Sequence, residues 1–173
     1  MEPNHEMYQR LIEPIEERMI AIVTRIMQDH HDAMDVFQEV LAVVWKKLKT
    51  IDRHPNAQAY ILRICVTRSY DALRKKVRYR QKKRLRQEAQ QQRQSTSGHS
   101  VELALTIRQA IALLPPKQAK TVFLRLIEGE DFAAIGAILA CSSATARSHF
   151  SKGRTRLQQI LRDAGICPER SSI

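Results

Sequence analysis

The chain has 173 residues, 43% of them apolar, with only five Gly and six Pro; a core can be buried, and disordered or collagen-like classes are excluded. Lys and Arg number 29 against 18 Asp and Glu, a net charge of +11, so a polyanion is the first partner to consider. No apolar run approaches the ~18–20 residues that span a bilayer, and Glu2, Glu6 and Glu13 stand where a signal peptide would be basic. Cys65, Cys141 and Cys167 form neither a framework nor a Cys-x-x-Cys pair, which fits a reducing cytoplasm.

The periodicity is helical throughout. Leu11, Ile12, Ile15, Met19, Ile22, Val23 and Ile26 recur at three- and four-residue steps. Pro14 within that run is expected in the first turn of a new helix, because an interior Pro costs about 3 kcal/mol. A second helix is predicted to start at Asp32, whose carboxylate caps it. Val36, Val40, Val43, Val44 and Leu48 then face inward, with Trp45 beside them. Residues 50–55 read as a loop. Asn56 caps a third, long helix that passes through Tyr60, Ile64, Cys65 and Leu73 into a basic run. Residues 74–93 hold ten basic groups and one acidic. The next stretch, QEAQQQRQSTSGHS from Gln87 to Ser100, has one Ala and no larger apolar residue, the composition of a flexible linker.

Beyond it, helices are predicted over 102–113, 117–127, 132–139 and 143–161. Pro115-Pro116 and Gly129 separate the first three. Ala140-Cys141-Ser142 is a tight turn before the last, with Ser142 or Ser143 as its cap. Short helix, three-residue turn and longer basic helix make a helix-turn-helix pattern, with Ala140 where Gly is usual. Gly136 inside the short helix is expected to cost about 1 kcal/mol against Ala. The fold class is therefore all-α. Two small helical domains, 5–86 and 101–163, are joined by a flexible polar linker at 87–100, and 164–173 forms a tail.

Three surfaces stand out. Arg147, Ser148, Ser151 and Lys152 fall at i, i+1, i+4 and i+5, one face of the last helix, where Arg147 can fork onto guanine O6 and N7. Phe150 and Leu157 face the core. Arg74–Arg86 is self-repelling without a polyanion, and Arg74, Arg78 and Tyr70 can line a phosphate backbone. Asp35 and Glu39, with Gln38 adjacent, form an acidic helix face that should turn away from DNA, onto a protein. Metal and catalytic readings are poor. His30 and His31 are adjacent and no second cluster has ligand spacing, and there is no GxxxxGK[ST], GxSxG or HExxH motif. No catalytic residue, cofactor or metal is expected.

Asp32–Trp45, DAMDVFQEVLAVVW, resembles the core-binding segment of bacterial sigma-70 family factors. Asn56–Lys76, NAQAYILRICVTRSYDALRKK, resembles the helix that reads and helps melt the −10 element. Leu114–Gln158 resembles region 4, which reads the −35 element. Their order and short linker are similar to those of the two-domain extracytoplasmic function (ECF) sigma factors. The resemblance implies that Asp35, Gln38 and Glu39 meet the β′ clamp helices of core RNA polymerase. It implies that Tyr60 (in place of a usual Trp), Thr67 (often Asn), Tyr70, Asp71 and Arg74 read the −10 element. It implies that Arg147, Ser148, Ser151 and Lys152 read the −35 element. The β flap, promoter DNA and an anti-sigma factor are the further partners implied, in the cytoplasm and without membrane insertion. The region 4 pattern is shared with LuxR-type regulators, so the alternative is a helix-turn-helix regulator that binds DNA without joining the polymerase.

Overall fold

The computed structural model describes residues 3–88 and 107–166, with side chains for 5–83 and 107–166. The expected linker lies outside them apart from residues 87 and 88, and so does the tail beyond Ile166. The elements are α1 (Pro3–Leu11), a 3₁₀ turn (Glu13–Ile15), α2 (Glu16–Met27), α3 (His30–Lys46), α4 (Leu48–Asp52), α5 (Ala57–Glu88), α6 (107–113), α7 (Pro116–Leu126), α8 (Phe132–Leu139) and α9 (Ser143–Asp163). No strand occurs among the described residues.

Helices α2, α3 and α5 pack on one another and form the first unit. Met19, Ile22, Val23 and Ile26 from α2, Val36, Val40 and Val44 from α3, and Ile61, Leu62 and Cys65 from α5 fill its core. Each such side chain adds about 1.5–3 kcal/mol of burial, which a unit this small needs. Pro14 sits in the 3₁₀ turn just before α2, where its missing N–H costs nothing. Asn56 caps α5 as expected, its Oδ1 accepting from the Ala59 amide at 2.9 Å.

Three local expectations are corrected. Helix α3 begins at His30, and its cap is Asp29, whose carboxylate accepts from the Asp32 amide at 3.0 Å. Asp32 itself pairs with Lys76 of α5. Of the segment 50–55 read as a loop, residues 50–52 belong to α4, which buries Leu48 and Ile51, and 53–55 form the turn that follows it. Trp45 is 49% exposed and leans on Tyr8 of α1, ring centroids 6.3 Å apart.

The second unit is α7, α8 and α9, with Ala119, Val122, Phe123, Ile135, Ile138, Ala146 and Leu157 buried between them. Asp131 and Ser142 cap α8 and α9, accepting from the Ala134 amide at 2.7 Å and the Thr145 amide at 3.0 Å. The turn between them is left-handed at Ala140, φ 54° and ψ 53°.

The two cysteines among the described residues differ in access. Cys65 is fully buried, and burial pushes its thiol up to about 12, whereas Cys141 in the α8–α9 turn is partly exposed. Only the thiolate alkylates readily, so iodoacetamide on the native protein should modify Cys141 well ahead of Cys65. Equal rates in a peptide map would mean that the first core opens as freely as the turn.

Candidate nucleic-acid interface

The helix-turn-helix presents its expected face. Arg147, Ser148, Ser151 and Lys152 are all exposed on α9. Arg147 rests its guanidinium over the Phe132 ring, 5.3 Å from the centroid, and Phe132 meets Phe150 edge-on at 5.6 Å. Arg125 lies over the same Phe132 ring at 5.1 Å. Stacking of this kind restrains a long cation without neutralising it, so Arg147 is aimed by a residue on another helix. Beside this face, Gln118 of α7 joins Ser151, Lys152, Thr155, Arg156 and Arg162 around a groove. The Gln118 Oε1 is buried there without a hydrogen-bond partner. Gln118 and Phe132 had no signal in the spacing of α9; Arg156 did, one turn after Lys152.

Helix α5 carries the second set. Tyr60 at its start has cations around its ring, Arg63 at 5.2 Å and Lys47 at 5.9 Å from the centroid, and the His54 ring edge-on at 5.1 Å. A polar pocket continues from Tyr60 along Arg63, Thr67, Arg68 and Asp71. Such a pocket, an aromatic face rimmed by donors, suits an unstacked base. Asp71 is exposed and Arg74 half-buried. Thr67 accepts a hydrogen bond from Lys120 of α7, Nζ to Oγ1, at 3.2 Å. Burial lowers the Lys120 ammonium pKa, Asp71 opposes that shift, and Arg63, Arg74 and Lys117 add to it. Tyr70 departs from the expected surface position. It is 3% exposed beneath Phe123 of α7, ring centroids 5.7 Å apart at 73°. Burial raises its hydroxyl pKa, against the nearby Arg108 and with the nearby Glu128.

The acidic set is open. Asp35, Gln38 and Glu39 are exposed on α3. Asp35 and Glu39 border a groove whose opposite wall is Arg68, Asp71, Lys75 and Lys76 of α5. The acidic and basic surfaces are therefore adjacent. No cluster of metal-ligating residues and no helix long and apolar enough to cross a membrane occurs among the described residues.

Residues 11–79 match the family described as Sigma-70 region 2, and residues 104–157 match Sigma-70, region 4. The chain is similar to the ECF RNA polymerase sigma factor SigE of Mycolicibacterium smegmatis, 25% identical over 158 residues. That match covers 89% of this chain and 61% of the relative's length. In fold it is similar to the sigma factor RpoE from Bartonella quintana, solved in complex with the anti-sigma factor NepR. The TM-score is 0.53 at 22% identity, over 90% of this chain and 96% of that one. With both regions present in order on one chain, the protein belongs to the sigma-70 family.

Proposed function

We propose that the protein binds core RNA polymerase and directs it to promoters carrying −35 and −10 elements, with no reaction of its own. The observation that carries this reading is the pairing, on one chain, of an exposed acidic face with an exposed basic reading face. The first is Asp35, Gln38 and Glu39; the second is Arg147, Ser148, Ser151 and Lys152. A regulator that only binds DNA has no use for the acidic set, which double-stranded DNA repels. On this reading the acidic residues meet the β′ clamp helices, while Tyr60, Thr67, Tyr70, Asp71 and Arg74 serve the −10 element. The units divide as 5–86 and 101–163, and the working compartment is the cytoplasm. The solved relative was crystallised with an anti-sigma factor, and a partner of that kind fits this chain as its regulator.

The test is reconstituted transcription with core polymerase from the same source on a fragmented genomic library. Start sites that need both components and share two upstream elements support the reading. With active core and no new starts, the LuxR-like reading takes its place, and it predicts tight binding of the protein alone to a palindrome.

Arg147→Ala separates two kinds of contact. Loss of a bidentate base contact costs about 1–3 kcal/mol at one position of the −35 element and relaxes preference there. A uniform loss on every promoter, with a shallower salt dependence, would instead mark Arg147 as a phosphate contact.

A further inference from the structure

Two arginines lie over one aromatic ring in the helix-turn-helix, and they differ in what is left free. Phe132 is the first residue of α8, held there by the Asp131 cap and by edge contact with Phe150 of α9. Arg125 of α7 stacks over the ring at 5.1 Å, and its Nη1 donates to the Glu130 carbonyl at 2.9 Å. Arg147 stacks over the same ring at 5.3 Å, and no carboxylate pairs with it among the described residues. A stacked guanidinium uses its face, whereas its N–H donors lie in its plane. The ring therefore restrains Arg147 and leaves the donating edge for a base. A carboxylate partner would have taken that edge. Helix α9 begins at Ser143, so Arg147 stands in its opening turns, the part of a recognition helix that meets base edges.

We infer that Phe132 is a positioning residue for base selection at the −35 element: it holds the Arg147 guanidinium in the orientation that forks onto a guanine, while Arg125 pins the ring. This deepens the promoter-reading function proposed above and rests on it. An unrestrained arginine can swing onto a neighbouring phosphate, a contact that carries no sequence information. It must also freeze several torsions to make a bidentate base contact, and that ordering weakens the contact. A stacked Arg147 starts near its bound geometry and keeps its edge turned to the bases. Removing the ring should therefore cost selectivity more than binding. Arg125 is the same residue type on the same ring, but part of its edge is taken by Glu130, so it anchors and does not read.

The test has one readout without DNA and one with holoenzyme. A phenylalanine ring shifts protons above its face upfield, so the Arg147 Nε–H proton of the full chain, assigned by its loss in Arg147→Ala, should resonate upfield of a free arginine. Phe132→Leu, which keeps an apolar side chain against Phe150, should abolish that shift, and Phe132→Tyr should keep it. An unshifted Arg147 signal in the wild type overturns the proposal. With core polymerase, promoters are compared that carry each base pair at the −35 position where Arg147→Ala relaxes preference. Phe132→Leu should cut the preference for the favoured pair about three- to tenfold and leave transcription from the disfavoured pairs at the wild-type level. Phe132→Tyr should retain the preference, and Phe132→Leu should add nothing to Arg147→Ala. An equal loss on all four pairs would mark a purely structural Phe132 and overturn the proposal. So would an unchanged preference in Phe132→Leu, or a uniform loss in Arg147→Ala. If the ring shift is as expected but wild-type protein and core give no new start sites, the stack stands and the promoter-reading function is what fails.

Discussion

If the proposed function holds, charge reversal of both Asp35 and Glu39 to Arg should abolish assembly with core RNA polymerase and leave both helical units folded. The two carboxylates are exposed one turn apart on α3, and packing on that helix is carried by Ala33, Val36, Phe37, Val40 and Val44. Exposed substitutions of this kind change stability by about 0.5 kcal/mol or less. The binding effect is much larger. Reversal changes the local charge by four units and places two guanidiniums across the groove from Arg68, Lys75 and Lys76. A basic partner surface then faces like charge, and mismatches of that sort cost several kcal/mol, about 100-fold or more in affinity. Gel filtration with labelled protein and core polymerase reads the outcome, with circular dichroism as the control on folding. Holoenzyme formed at wild-type affinity would remove α3 from the interface and leave the acidic face without a partner.

Much of this architecture was legible because helical period and capping are local. The limits of α8, the Asn56 and Ser142 caps and the exposed face of α9 all follow from residues within two turns of one another. What sequence spacing could not carry was contact between distant segments. Tyr70 reads as a surface residue of a basic helix until Phe123, on another unit, is laid across it. Trp45 stands beside Val44 in the sequence, yet the next residue along a helix points about 100° away, and Trp45 is exposed on the rim, where it meets Tyr8 of α1. The cap of α3 was misplaced because Asp29 and Asp32 both suit the role. Asp29 takes the cap, and Asp32 pairs with Lys76 of α5, a contact between distant segments. In the site, the four residues of α9 were visible from their spacing, whereas Phe132 and Gln118, which flank them, belong to α8 and α7.

Gly136 is the position where propensity and packing disagree most, and packing wins. By helix propensity alone Gly136→Ala should stabilise by about 1 kcal/mol. A Cβ at Gly136, however, would stand 2.7 Å from the Cys141 carbonyl oxygen and 3.3 Å from the Ser143 amide nitrogen. Both are backbone atoms of the turn, which cannot swing aside as a side chain would. The turn is also bound to the same residue, the Cys141 amide donating to the Gly136 carbonyl at 2.9 Å. Overpacking against such a neighbour costs about 1–3 kcal/mol, so the propensity gain is cancelled or exceeded and α9 is pushed off its seat on α8. A unit this small has only a few kcal/mol to lose, and a net loss of ~1 kcal/mol lowers its melting temperature by about 4–8 °C. Ala140→Gly should act in the opposite direction. Ala140 holds the left-handed conformation that costs an L-residue about 1–2 kcal/mol, and glycine relieves that strain at some cost in unfolded-state entropy. Thermal unfolding of the two variants should therefore move in opposite senses, Gly136→Ala down and Ala140→Gly up. If Gly136→Ala melts higher than the parent, the close approach of the turn to α8 is wrong, and with it the seating of α9.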